Sequence, residues 1–237
     1  MISPNENSIE TNPQQRACAI MHQVAQGRSQ VYCWLAQSFY APDAELAQAL
    51  NTGRMVEEIL LATAWLGQDR QKFLVSLNKL RDCAKLTLPD LDGDYQRWFG
   101  KSIDRVPMRE SAYRWREASA VVANANDVAQ ALRQLYEQFG VVPIANQEDV
   151  LPVEFELMAF LCECESREWQ ANASEAARQL RLQEHTFLAD HLGRWYPEFC
   201  RRVADRSLNP FYEALIFLGD TWLNLEYGPG YLPARSL

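Results

Sequence analysis

Apolar side chains recur at spacings of three, four and seven along most of this chain, and no segment sustains the two-residue alternation that a strand requires. Residues 16–40 carry Val24, Val31, Tyr32, Leu35 and Phe39 on one stripe. Pro42 and Asp43 close that helix and cap the next, where Leu46 and Leu50 recur. Met55, Ile59, Leu60, Thr63 and Leu66 predict a short helix ended by Gly67, and Phe73, Leu77, Leu80 and Ala84 predict a fourth. Residues 87–113 mix proline, glycine, aromatic and charged side chains without a period, which predicts a short helix around 95–99 and then a shaped loop. Helix resumes with Asp127 as its expected N-cap, presents Ala131, Leu132, Leu135 and Phe139 on one face, and stops at Gly140. After the loop VVPIANQE, Asp149 is the expected N-cap and Pro152 fits the first turn, where a missing N–H costs little. Phe155, Met158, Ala159, Leu161 and Cys162 then form a strong apolar face. Helices over 173–191, 193–205 and 208–226 follow, the last headed by Asn209 and Pro210.

The expected fold is therefore all-α: a single helical bundle of about ten helices, with room for two subdomains joined by a hinge near 124–148. The bundle would span residues 16–226, between a polar N-terminal tail, 1–15, and a Gly- and Pro-rich C-terminal tail, 227–237. At 237 residues and 48% hydrophobic, the chain has the material for a real core.

Charge and motif content narrow the function. A formal charge of −8 argues against nucleic acid as a partner, since neutralising phosphates needs clustered Lys and Arg. An acidic chain suits a basic partner, and solubility accounts for the same balance. No apolar run reaches the roughly 18 residues of a membrane span, so no stable membrane association is expected. The start, MISPNENSIETNPQQR, lacks the basic-then-apolar order of a signal peptide, so the chain is expected to stay in the cytoplasm with its six cysteines reduced. His22, His185 and His191 form no metal-binding pair, and Cys162 and Cys164 sit about 200° apart around a helix, so neither a metal nor another cofactor is expected. There is no phosphate loop and no nucleophile elbow. Glu154 with Glu165, or Glu156 with Glu163, could be drawn as an acid–base pair, but solvated carboxylates on a helix face are the plainer reading, and no catalytic residue is expected.

Two segments stand out once chemistry is set aside: DYQRWFG at 94–100 with VPMRESAY after it, and EDVLPVEFELMAFL at 148–161. Here the chain resembles the TorD/DmsD/NarJ group of redox-enzyme maturation chaperones. Tyr95, Trp98, Phe99 and Gly100 fall on that family's Y-x-x-L-F-x-G-P pattern, with Trp98 where Leu is usual and one residue fewer between Phe and Gly. Pro107, Glu110, Ser111 and Tyr113 fall on its P-P-aromatic-x-S-x-aromatic loop, and Asp149, Glu154, Leu157 and Met158 on or near its D-H-x-x-x-E-L-x-F-M helix start. RSQVYCWLAQSFYAPDAEL is similar to the family's opening helix, and FLADHLGRWYPEFCRRV with NPFYEALIFL to its closing pair, where H-L-x-x-W-x-P-x-F is usual. The chain departs from the pattern at Val150 (usually His), Lys101 (usually Pro), Met108 and Arg109.

The resemblance implies a cytoplasmic chaperone that binds the twin-arginine signal peptide and apo form of a molybdopterin-dependent oxidoreductase, and delays export until the cofactor is inserted. It implies a peptide site among Tyr95, Trp98, Phe99, Gly100, Pro107, Glu110, Ser111, Tyr113, Asp149, Glu154 and Met158. Such a peptide, a basic pair followed by an apolar stretch, suits an apolar groove lined by Tyr95, Trp98, Phe99 and Met158. An acidic rim would come from Glu148, Asp149, Glu154, Glu156, Glu163, Glu165 and Glu168. At helical spacing, Tyr95, Trp98 and Phe99 are more often core than groove. Two other functions fit the chain: an assembly or adaptor subunit that stays in a redox-enzyme complex, and a small helical enzyme using Glu154. A monomer or a domain-swapped homodimer is expected.

Overall fold

The computed structural model describes residues 12–114, 125–144 and 146–227. Among these, eleven α-helices and one 3-10 turn (Ala64–Asp69) account for the regular structure, and the sole strand-like feature is an isolated bridge between Arg109 and Val150. The helices are α1 (Pro13–Phe39), α2 (Ala44–Asn51), α3 (Arg54–Ala62), α4 (Arg70–Arg81), α5 (Leu88–Trp98), α6 (Ser111–Arg114), α7 (Ala125–Gln138), α8 (Leu151–Gln170), α9 (Ser174–Asp190), α10 (Leu192–Ala204) and α11 (Pro210–Tyr227). The all-α expectation holds.

Local chemistry sets the helix ends. Asn12 accepts from the Gln14 amide ahead of Pro13, so α1 begins inside the segment read as an N-terminal tail. Asp43 accepts from the Leu46 amide at 2.8 Å and starts α2 as expected. Asn209 accepts from the amides of Phe211 and Tyr212, with Pro210 opening α11. Two caps differ from the reading. Asp127 lies in the first turn of α7 rather than ahead of it, where its charge still faces the positive helix end. The N-cap of α8 is Val150, because Asp149 turns its carboxylate toward the loop before α6. VVPI is loop, and Val142 and Ile144 stand out in solvent.

The central packing is α1 along α8, with α3 across α1, α9 beside α8, α4 against α11 and α10 against α9. Helices α1 and α3 cross closely: a Cβ on Gly27 would come within 2.1 Å of the Ala62 carbonyl oxygen, so only glycine fits. Tyr32, Phe39, Phe155, Phe199 and Trp222 form a chain of ring contacts through the core. Among the described residues no helix is long and apolar enough to cross a membrane.

Candidate functional site

The residues singled out in the sequence fall into two connected groups. The first is a clasp. Asp149 is buried, and its Oδ1 takes the Arg109 guanidinium at 2.7 Å while its Oδ2 accepts from the Ser111 amide at 3.3 Å and from the Ser111 hydroxyl. Backbone bonds run alongside, from Glu110 N to Asp149 O and from Leu151 N to Met108 O, both at 2.9 Å. Arg109 also donates to the Asn146 carbonyl. Two of the departures from the family pattern therefore meet each other here: Arg109 bridges Val150 and neutralises Asp149. The Tyr113 hydroxyl donates to the Pro107 carbonyl at 2.6 Å, closing the loop on itself.

The second group is aromatic. The Phe99 and Gly100 amides both donate to the Tyr95 carbonyl, which tightens the end of α5. A Cβ on Gly100 would sit 2.8 Å from the Gln96 Cα, so this turn excludes any side chain. The Trp98 carbonyl accepts from the Val106 amide at 2.7 Å and folds the next loop back. Phe99 packs on Phe199 of α10 and Tyr212 of α11, with ring centroids 6.1 and 5.4 Å away. Tyr95 also meets Tyr212, and Tyr113 stacks on Trp195 at 5.2 Å.

These placements correct the picture of an open groove. Trp98, Phe99, Tyr113, Glu110, Glu154, Asp149 and Met158 are all buried, and Met158 lies wholly within the core. Glu154 accepts from the Trp195 indole N–H at 3.1 Å, deep in the bundle. The acidic helix face also breaks up: Glu148 pairs with Arg133, Asp149 with Arg109 and Glu165 with Arg28, all three carboxylates buried. Of that set only Glu156, Glu163 and Glu168 reach the surface. Burial pushes the Glu148 carboxyl up, but its hydrogen bonds to backbone amides and to Arg133 outweigh this and hold it below the ordinary carboxylate value.

Helix α10 and its N-cap residue His191 supply the residues that the sequence reading did not nominate. His191 Nδ1 hydrogen-bonds to Glu110 at 2.8 Å, Trp195 meets Glu154 and Tyr113, and Phe199 meets Phe99. Each belongs to the HLGRWYPEF stretch, which was visible as a motif; their contacts lie 41 to 100 positions away and leave no local sign.

Behind this assembly α10 and α11 enclose an open cleft of about 770 Å³. Val203, Leu208, Ile216 and Phe217 give it an apolar floor. Glu213 and Asp220 stand on the α11 wall, two turns apart, and Arg194 and Arg201 on the α10 wall. Arg206 lines the cleft and lies over the Trp98 ring at 5.3 Å, and Arg202 lies over Tyr113 at 4.2 Å. The motif segments thus brace both walls from behind.

Fold and site together define an all-helical protein in which two loop segments, clasped by one carboxylate, fix the two helices that form a solvent-open cleft. Neither a curated protein nor a solved structure matches the chain. The profile of the family described as nitrate reductase delta subunit matches residues 65–201, more than half of the chain and all of the clasp. The chain belongs to this family, whose members are molybdoenzyme-maturation chaperones.

Proposed function

We propose that this protein is a cytoplasmic chaperone for a molybdopterin-dependent oxidoreductase, and that it binds the twin-arginine signal peptide of the apoenzyme until the cofactor is in place. The observation that carries the reading is the cleft between α10 and α11, backed on both walls by the segments that place the chain in its family. An apolar floor suits the apolar stretch of such a peptide, in the way amphipathic helices seat in grooves. Glu213 and Asp220 suit the arginine pair, through charge-assisted hydrogen bonds that set orientation. In this reading Tyr95, Trp98, Phe99, Gly100, Pro107, Glu110, Ser111, Tyr113, Asp149, Glu154 and Met158 serve peptide binding as the frame that positions the cleft. Differential affinity for the unloaded enzyme is enough to delay export, and no covalent step or cofactor is needed.

Calorimetry of the full chain with synthetic leader peptides tests this. A leader with its arginine pair binds; replacing the pair by alanines, or introducing Glu213→Lys, weakens binding by about tenfold, equivalent to about 1.4 kcal/mol. Absence of binding to every leader and to the apoenzyme body sinks the proposal. One alternative, an adaptor subunit that stays with the enzyme, is favoured by the word subunit in the family's description. Purification of the mature, cofactor-loaded enzyme separates the two, since a chaperone is absent from it and an adaptor is retained.

A further inference from the structure

Helices α1, α8, α9 and α11 meet on a buried ionic cluster that the peptide reading does not use. Arg28 of α1 is its centre. One guanidinium nitrogen bonds Glu165 of α8 at 2.6 Å, another bonds Glu226 of α11 at 2.6 Å and also Glu184 of α9, and the third donates to Glu226 at 2.9 Å. Arg181 of α9 is the second cation, 3.0 Å from Glu184 and 3.3 Å from Glu226. The Tyr32 hydroxyl of α1 donates to Glu226 at 3.4 Å, and the Trp169 indole of α8 donates to Glu165 at 2.9 Å. The buried Cys162 thiol of α8 completes the surroundings, pushed up by burial and so neutral.

The charges do not balance. Three carboxylates face two guanidinium groups, which leaves one negative charge in the interior, and a buried uncompensated charge is strongly destabilising. The geometry shows where relief lies. Glu165 and Glu184 bond the two terminal nitrogens of the same guanidinium, which brings their carboxyls side by side, an approach that two ionised carboxylates resist. Glu184 Oε1 is also buried with no hydrogen-bond partner among the described residues. One proton on this pair supplies the missing donor and neutralises the cluster.

We propose that Glu165 and Glu184 hold one proton between them, that the cluster is thereby a neutral latch on four helices, and that loss of this proton to solvent loosens α9 from α8. Helix α9 packs along α8, so the repulsion released on ionisation acts directly across that contact. Burial and then repulsion by Glu184 push Glu165 up to about 7, and burial, helped by repulsion from Glu226 and opposed by Arg28, pushes Glu184 up to about 7. The sign follows. A carboxyl raised in the folded state stabilises fully below its ordinary value, and that contribution is lost as pH rises through the folded value. The latch is closed in mild acid and released just above neutrality.

Difference infrared spectroscopy of the full chain, titrated from about pH 5 to about pH 9, reads the proton directly. A carboxylic-acid carbonyl band that vanishes near neutrality is expected, absent from Glu165→Gln and Glu184→Gln. The thermal midpoint of the wild type falls by several degrees over the same interval, whereas Glu165→Gln, whose amide stands in for the protonated carboxyl, stays level. Should either variant fail to fold, the wild-type band decides alone. A chain with no such band at the acid end, or Gln variants whose midpoints fall as steeply as the wild type, overturns the proposal.

Discussion

A single oxygen of Asp149, Oδ2, receives both the amide and the hydroxyl of Ser111, tying together two segments 38 positions apart. The other oxygen holds Arg109, so this carboxylate is the knot of the clasp.

Replacing Asp149 by alanine strands the Ser111 donors and removes the partner of Arg109. The expected cost is about 2–4 kcal/mol, since the pair is half buried and each lost acceptor leaves a donor unsatisfied. Urea unfolding measures it, and amide exchange at Glu110 and Ser111 should accelerate. A loss below about 0.5 kcal/mol, the level of an ordinary surface change, removes the clasp from the account.

Phe99→Ala and Phe217→Ser separate framing from contact. Phe99 is buried between α10 and α11, so its truncation costs about 3–5 kcal/mol and relaxes both walls of the cleft. Phe217 lies partly exposed on the cleft floor, so its replacement should weaken leader binding while leaving the unfolding midpoint nearly unchanged. Equal loss of binding and stability in both variants contradicts the division of roles.

Thiol labelling reports on the cleft. Cys200 lines it and is partly accessible, so a bound leader should slow its alkylation several-fold, with mass mapping to distinguish it from Cys33 and Cys164. Cys83 is the internal control. Burial pushes its thiol up to about 11, and it should remain nearly inert at neutral pH with or without peptide. Labelling of Cys200 at an unchanged rate in a saturated complex places the peptide elsewhere.

Arg133 and Glu148 give a second pH dependence, opposite in sign to that of the latch. Glu148 is held below the ordinary carboxylate value, so it stabilises the fold above that range and the contribution fades as pH falls through its lowered value. Arg133→Leu removes the partner of a buried carboxylate. The variant should be destabilised near neutrality and should lose less on acidification than the wild type, as followed by circular dichroism. Parallel acid profiles for the two proteins would show that the pair does not contribute.

How much of this was legible in the sequence depends on the distance over which each cause acts. The stripe of Val31, Tyr32, Leu35 and Phe39 announced α1, and Asp43 and Asn209 announced the helices they cap, because those signals lie within one turn of their effect. Asp149 misled for the opposite reason. Beside Pro152 it reads as a cap, and only the loop folded against it supplies Ser111 and Arg109 as stronger partners. The motif aromatics were found as a set, yet their being core rather than groove rested on Phe199 and Tyr212, residues of helices far along the chain.

By itself the sequence determined that this protein is a bundle of helices, where most of them start and stop, and which family its ordered motifs resemble, because periodicity, caps and motif order are properties of neighbouring residues. The tertiary structure alone decided that four of the acidic side chains of the 148–168 stretch turn inward, that an open cleft forms between α10 and α11, and that Arg28 meets carboxylates 137, 156 and 198 positions away. Whether a charge is solvated or buried, and what it then pairs with, is set by which helix faces meet, and no local spacing encodes that.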